Sequence, residues 1–165
     1  MKETQERLRS FLREQGACHQ EFAHPPCKSS EESARARKEA GAGATVGAKA
    51  LVLKKRDGSF AICVLPGPSR LDGKSLRQIV GRYRFANAEE MLQVTGLEPG
   101  MVPPFGPQLF PEIAQLVVDP ELEKVSALGF NMACFTASIV MEGAEYFRII
   151  QHGGTIIAGI SHLEG

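Results

Sequence analysis

The sequence has no tryptophan, few aromatic residues and no long apolar run. Aromatic side chains make up 7% of its 165 residues and hydrophobic ones 43%, so any core must be mainly aliphatic. A membrane-spanning helix needs about 20 consecutive apolar residues, and no segment here approaches that length. The opening MKETQERLRS is charged, and no apolar stretch follows it. These features predict a cytoplasmic protein with no signal peptide and no membrane partner.

Cysteine and histidine are also scarce. The four cysteines (Cys18, Cys27, Cys63 and Cys134) form no CxxC pair, and the four histidines are dispersed. This spacing favours neither a disulfide framework nor a metal site, and we expect no metal and no cofactor. Cys63 lies inside the apolar run FAICVL, where a small buried thiol is expected.

The chain has no formal net charge, which argues against general nucleic-acid binding, but its charges are segregated. Residues 49–84 contain nine basic and two acidic residues, whereas residues 85–165 contain two basic and ten acidic ones. This asymmetry suggests an anionic partner that binds one part of the surface. Ordinary solvated helix and strand faces produce the same pattern, so charge alone leaves both interpretations open.

Predicted helices and strands alternate without a regular βαβ spacing. Helical patterns cover residues 3–16, 30–41, 71–81 and 86–96, with Ser29 and Asn87 as candidate caps. The runs AKALVLKK and FAICVLP flank an Asp57-Gly58 turn, which predicts a β-hairpin. Further strands are predicted in ACHQEFAH, IAQLVVD, SALGFNMA and TASIVME. The irregular order favours an α+β fold with a mixed, curved sheet, in one domain over residues 1–165.

The segment GLEPGMVPPFG, residues 96–106, contains three glycines and three prolines. Proline fixes φ and removes an amide donor, while glycine permits backbone shapes that other residues resist. The segment is therefore predicted to be a stiff loop with a defined shape. Long structured loops in compact domains often bind ligands, although a tight surface turn is the simpler alternative.

The order of these segments resembles the YbaK/ProX family of prolyl-tRNA synthetase-associated editing domains. GAKALVL, TGLEPGMVPPFG, FNMA followed by SIVM, and EYFRI occur in that order within residues 16–150. They are most similar to the YeaK-like members directed at serine and threonine. The resemblance implies a mixed, barrel-like sheet surrounded by helices. It also implies a trans-acting deacylase that hydrolyses the ester of mischarged aminoacyl-tRNA and contacts the acceptor end of the tRNA, with an aminoacyl-tRNA synthetase as a further candidate partner.

The resemblance extends to individual site residues. The family lysine at the start of the hairpin strand matches Lys49, and the family's Gly-x-x-x-Pro loop matches Gly100 to Pro104. A small polar residue in a later strand corresponds to Asn131. The expected catalytic residues are Lys49, Gly100 and Pro104, and the expected substrate-binding residues are Met101, Val102, Asn131, His24 and Ser29. For His24 and Ser29, a turn and a helix cap are the structural alternatives.

Ester hydrolysis requires a held carbonyl, a water and stabilisation of the developing oxyanion. Backbone amides such as those of Met101 and Val102, held by the neighbouring prolines, are expected to stabilise the oxyanion. Lys49 offers a positive charge to the terminal phosphate or to ribose hydroxyls. Because no Ser–His–Asp or Cys–His pattern is present, we expect substrate hydroxyls and a bound water rather than a covalent nucleophile.

Two positions depart from the family pattern. Pro103 stands where many members have serine or threonine, and Ala50 follows the lysine where other branches have a polar residue. Together with the unusual NMACF stretch, these departures leave open a non-catalytic module of the same fold that binds aminoacyl-tRNA or a synthetase. A hydrolase of other aminoacyl esters is a third reading. The tail, residues 151–165, lies outside the resemblance.

Overall fold

The computed structural model describes residues 2–163, in which helices and strands alternate along the chain. The helices are α1 (Lys2–Glu14), α2 (Ser30–Arg37), α3 (Gly73–Val80), α4 (Ala88–Thr95) and α5 (Gly143–Ile149). The strands are β1 (Gln20–Ala23), β2 (Val46–Lys55), β3 (Phe60–Pro66), β4 (Ser69–Leu71), β5 (Tyr83–Phe85), β6 (Ile113–Val118), β7 (Leu128–Asn131), β8 (Ala137–Met141), β9 (Thr155–Ile157) and β10 (Ser161–Leu163). None of the helices in these residues is long and apolar enough to cross a bilayer.

Eight of the strands form one mixed sheet. Its order is β1-β8-β7-β2-β3-β6-β9, and β5 pairs with β2 beside this path. The pairs β2–β7, β3–β6 and β6–β9 are parallel, and the other pairs are antiparallel. The predicted α+β fold with a mixed sheet is confirmed, and the sheet stays open, with β1 and β9 as its ends. Strands β4 and β10 form a separate two-stranded sheet.

The predicted hairpin is the centre of the sheet. Strands β2 and β3 pair from Ala48 with Pro66 to Lys54 with Phe60, and Asp57 closes the turn by accepting the Ser59 amide at 2.9 Å. Strand β3 is covered on both faces, which explains why its sequence is a continuous apolar run. Cys63 is fully buried in β3, and burial raises its pKa to about 12, as expected of a core thiol.

The two faces of the sheet have separate cores. On one face, side chains such as Val52 and Ile62 pack against helices α1, α4 and α5 and against the proline-rich loop. On the other face, Leu53 and Leu65 pack against Leu76 of α3. The even and odd positions of β2 thus serve opposite cores, which is the period of two expected of a strand.

The tail is part of the fold, a role that the sequence patterns did not reveal. Strand β9 adds to the sheet beside β6, and β10 pairs with β4. The buried carboxylate of Asp119 accepts the Ile160 amide at 3.0 Å and the Ser161 hydroxyl at 2.7 Å. Asp119 therefore fixes the tail to the end of β6.

Candidate active site

A cavity of about 100 Å³ lies between helix α2, the start of β2, the end of β7 and the proline-rich loop. Five of the eight predicted site residues line it: Ser29, Lys49, Gly100, Val102 and Asn131. The remaining lining residues are Lys28, Ser30, Ser33, Arg37, Gly47, Ala48, Ala50, Gly129 and Phe130. The segments are distant in sequence, so the sheet and the loop assemble the cavity.

Lys49 and Asn131 face the cavity from neighbouring strands. Gly47 and Gly129 are paired in the parallel β2–β7 register, and Lys49 and Asn131 each lie two residues further along, on the same face. The ammonium of Lys49 donates to the Ser69 carbonyl at 3.3 Å. Since an ammonium has three donors, Lys49 retains donors for a ligand.

Asn131 joins its strand to the proline-rich loop. Its Nδ2 donates to the Gly100 carbonyl at 2.6 Å. Gly100 has φ 92°, and a Cβ there would lie 3.2 Å from Cε1 of Phe135, so both the conformation and the contact favour glycine. This bond holds the loop against the mouth of the cavity.

The loop is anchored from the core side by a contact that the sequence analysis did not predict. The Tyr146 hydroxyl donates to the Pro104 carbonyl at 2.6 Å, and both residues are buried. Burial raises the pKa of Tyr146 well above its ordinary value, so the hydroxyl keeps the proton that it donates. The ring of Phe105 packs edge-on against Phe130 and Tyr146 at centroid distances of 5.6 Å. Pro104 is thus part of the anchor and does not line the cavity.

The amides of this loop are arranged differently from the sequence expectation. The Met101 amide donates to the Glu98 carbonyl at 3.1 Å, and the Met101 side chain is buried in the core, so this amide is already paired. In the described part of the chain, the amides of Gly100 and Val102 have no hydrogen-bond partner. Because both residues line the cavity, their amides are candidate donors to a bound ligand.

His24 and Ser29 support the site in different ways. Ser29 caps α2 by accepting the Glu32 amide at 3.1 Å, which confirms its predicted capping role, and it also lines the cavity. His24 is buried behind the cavity, with Nδ1 2.9 Å from the Pro25 carbonyl and Nε2 2.8 Å from the Ser138 hydroxyl. A carbonyl only accepts, so Nδ1 donates to Pro25. Ser138 is the register partner of Asn131, and His24 therefore stabilises the strand behind the site.

Arg37 is a cavity residue that the sequence analysis missed. Its side chain is only 2% exposed, its Nε donates to Thr45 at 3.0 Å, and burial lowers its pKa. Glycines inside strands often mark a close approach of another group, and Gly47 and Gly129 were the available signal. A Cβ at Gly129 would lie 2.5 Å from the Arg37 Nε.

The charge of the cavity limits its chemistry. Lys28, Arg37 and Lys49 line it, and no aspartate, glutamate, histidine or cysteine is among its lining residues. Hydrogen-bond donors and positive charge therefore dominate, which suits an anionic ligand or a carbonyl that gains negative charge. The hydroxyls of Ser29, at the N-cap of α2, and of Ser30 and Ser33 within it are the only side-chain hydroxyl groups among the lining residues.

Comparison with known proteins gives consistent matches. The profile of the aminoacyl-tRNA editing domain matches residues 24–149. The chain is 29% identical over 154 residues to the multifunctional Ser/Thr-tRNA deacylase ProXp-y of Escherichia coli (strain K12), covering 90% of this chain and 89% of that protein. It is 30% identical over 96 residues to a proline–tRNA ligase of Thermodesulfovibrio yellowstonii, covering 58% of this chain and 16% of the ligase.

A solved structure shares the fold, and the family follows from the profile. A crystal structure of a candidate trans-editing enzyme for prolyl tRNA synthetase matches with a TM-score of 0.78 at 22% identity, over 96% of this chain and 97% of that one. The Escherichia coli relative is a deacylase, which favours the predicted enzyme over the non-catalytic module. The editing-domain profile includes every residue that lines the cavity. The predicted resemblance is therefore confirmed, and the chain belongs to the aminoacyl-tRNA editing domain family.

Proposed function

We propose that this protein is a trans-editing deacylase that hydrolyses the ester bond of mischarged aminoacyl-tRNA in the cavity beside Lys49. One observation carries the proposal: the cavity combines positive side chains with the amides of Gly100 and Val102, which are unpaired within residues 2–163, and has no acidic lining residue. Such a set stabilises negative charge that develops on an ester carbonyl. The family to which the chain belongs supports the same reaction.

The proposed mechanism uses positioning and charge rather than a covalent intermediate. The ester carbonyl accepts hydrogen bonds from the amides of Gly100 and Val102, which the anchored loop holds in place. Lys49 adds positive charge beside the developing oxyanion, and Asn131 keeps the loop at its position. Because no histidine, cysteine or carboxylate lines the cavity, the nucleophile is a water oriented by the substrate's own hydroxyl and amino groups. Its oxygen bonds to the carbonyl carbon, the bond from that carbon to the ribose oxygen breaks, and a proton from the water passes to the departing ribose oxygen.

The acceptor stem of the tRNA is proposed to bind a basic groove at the far end of β2. The groove is lined by Lys54, Lys55, Arg56, Arg82, Tyr83 and Arg84. Lys54 and Arg84 pair with Glu90, whereas Arg56 and Arg82 have no ion pair within the described residues. Lys55 lies six residues from Lys49 along β2, about 20 Å at the rise of a strand. A single-stranded acceptor end spans such a distance between a base-paired stem and the cavity.

The amino acid removed is proposed to be small and polar, of the serine or threonine type. The cavity is small, about 100 Å³, which favours a small side chain. Serine hydroxyls of α2 line it and offer hydrogen bonds to a hydroxylated substrate. The Escherichia coli relative, named a Ser/Thr-tRNA deacylase, supports this class. A synthetase is proposed as a further partner in the cytoplasm, and the similarity to part of a proline–tRNA ligase is consistent with it.

The test is to incubate the protein with a panel of correctly and wrongly charged tRNAs and to follow the release of each amino acid. We expect release from serine- or threonine-charged tRNA and none from tRNA that carries an aromatic amino acid. Binding measured in parallel separates the two leading alternatives. Tight binding of charged tRNA without turnover of any member would refute the deacylase and support the binding module.

A further inference from the structure

Arg37 carries a buried positive charge that no acidic group of the described chain neutralises. The ion pairs of residues 2–163 do not include Arg37, and its guanidinium makes one hydrogen bond, from Nε to Thr45. A buried charge is costly unless it is paired and hydrogen-bonded. Retaining an arginine at 2% exposure without a carboxylate indicates that its partner comes from outside the chain.

The two strands beneath Arg37 are shaped to receive its guanidinium. A Cβ at Gly129 would lie 2.5 Å from Nε and 2.8 Å from Cζ of Arg37, and a Cβ at Gly47 would lie 3.4 Å from Nη2. Gly47 and Gly129 are partners in the β2–β7 register, so the missing side chains are adjacent. The planar group therefore rests on bare backbone of both strands, which fixes its orientation.

The outer nitrogens of Arg37 are open to the cavity. Nη1 and Nη2 make no hydrogen bond within residues 2–163. Every fully buried side-chain nitrogen or oxygen in those residues does have a partner, so Nη1 and Nη2 are not fully buried. These nitrogens must therefore keep some access, and the cavity is the space that Arg37 lines. Together they present the two-pronged donor edge that binds phosphate and carboxylate.

We propose that Arg37 is a substrate-binding residue that holds the 5′-phosphate of the nucleotide carrying the aminoacyl ester. This proposal rests on the proposed function for the identity of the nucleotide. A phosphate matches the donor edge in shape. Its negative charge balances the positive charges of Arg37 and of Lys28, which also lines the cavity.

The spacing of the site sets the direction of the bound nucleotide. Arg37 lies over Gly47 and Gly129, and the row formed by Lys49 and Asn131 begins two residues further along the same strands, about 7 Å away. That distance is comparable with the width of one ribose, which separates the 5′-phosphate of a nucleotide from its 3′ ester. With the phosphate at Arg37, the ester lies beside Lys49 and the amides of the loop. The tRNA strand that comes from the basic groove near Lys55 therefore passes Lys49 and turns back at Arg37.

The experiment compares the binding of adenosine 5′-monophosphate and adenosine, two probes that differ only in the phosphate. Binding is measured by NMR titration, and the Arg37 Nε–H signal is followed directly. We expect the phosphate to tighten binding to the wild type by about tenfold or more, as for charge-assisted hydrogen bonds. We also expect the Arg37 signal to shift with the monophosphate and to stay in place with adenosine.

Two variants complete the test. Arg37→Gln removes the charge, and we expect it to lose most of the preference for the monophosphate, keeping only the part that Lys28 supplies. Arg35→Gln, at an exposed position of the same helix that does not line the cavity, should keep the wild-type preference. Circular dichroism melting verifies that each variant is folded. If Arg37→Gln does not fold, the Arg37 signal of the wild type decides the question.

The outcomes separate this proposal from the proposed function. Equal binding of the two probes by the wild type, no detectable binding of either, or an undiminished phosphate preference in Arg37→Gln would overturn the role of Arg37. Deacylation could stand in each of those cases, because it is measured on charged tRNA. Conversely, binding of the monophosphate through Arg37 without release of any amino acid would support the anion site and overturn the deacylase.

Discussion

The hydrogen bond from Tyr146 to Pro104 gives the sharpest test of how the loop is held. Tyr146→Phe removes the hydroxyl and keeps the ring that packs against Phe105 at 5.6 Å. The Pro104 carbonyl, which is buried and accepts this bond at 2.6 Å, is left without its donor. Leaving a buried acceptor without its partner lowers the free energy of unfolding by about 1–3 kcal/mol, and we expect a loss of about 2 kcal/mol here.

The assay is urea unfolding combined with deacylation kinetics. With an m-value of about 2 kcal/mol per M, a loss of about 2 kcal/mol lowers the midpoint by about 1 M and leaves m unchanged. The turnover rate should fall by about tenfold, because the amides of Gly100 and Val102 lose their fixed position. The charged tRNA should still bind, since the loop amides act mainly on the developing charge.

Tyr83→Phe is the matched control, because Tyr83 is the other tyrosine of the chain. Its hydroxyl makes no hydrogen bond within residues 2–163, so the same chemical change should lower the free energy of unfolding by less than about 0.5 kcal/mol. If the two variants unfold at the same urea concentration and Tyr146→Phe turns over at the wild-type rate, the loop does not depend on the Tyr146 anchor. The explanation of its stiffness would then be refuted.

Three further predictions concern the tail, acid stability and tRNA binding. Asp119→Ala should lower the free energy of unfolding by about 2–4 kcal/mol, because the carboxylate accepts the Ile160 amide and the Ser161 hydroxyl. It should also speed hydrogen exchange in residues 155–163, and unchanged exchange would contradict this. Arg84, the Asn87 amide and Lys54 lower the pKa of Glu90, so its stabilising effect is present above about pH 4.5 and is lost as pH falls. The difference in melting temperature between wild type and Glu90→Gln should therefore shrink on acidification, and a difference that stays constant to pH 3 would refute this cause. Replacing Arg56 and Arg82 by serine should weaken tRNA binding and lower the salt slope by about 2, whereas Arg13→Ser on α1 should leave the slope unchanged.

Local sequence signals predicted the elements that depend on local chemistry. The β2–β3 hairpin follows from two apolar runs around Asp57-Gly58, and the caps at Ser29 and Asn87 follow from side chains that accept nearby amides. The stiffness of the loop follows from its prolines and glycines. The short strands β9 and β10 were missed because three residues are too few to show a period.

The detailed site depends on contacts between distant segments, which a sequence pattern does not contain. The composition of the loop does not tell which of its amides are free. In the structure, a turn pairs the Met101 amide with the Glu98 carbonyl and leaves the amides on either side without a partner in the described part of the chain. His24 meets Ser138 across 114 positions, so its place behind the cavity is set by the pairing of β1 with β8. Arg37 requires two strand glycines that become neighbours only when β2 pairs with β7.

The most direct test of the central claim is the single-turnover release of amino acid from serine- or threonine-charged tRNA with the enzyme in excess. Wild type, Lys49→Ala and Lys74→Ala are compared; Lys74 is an exposed residue of α3 that does not line the cavity. We predict that Lys49→Ala is slower by about 100-fold or more, while Lys74→Ala stays within about twofold of wild type. A folded Lys49→Ala protein that releases the amino acid at the wild-type rate would contradict the assignment of the reaction to this cavity.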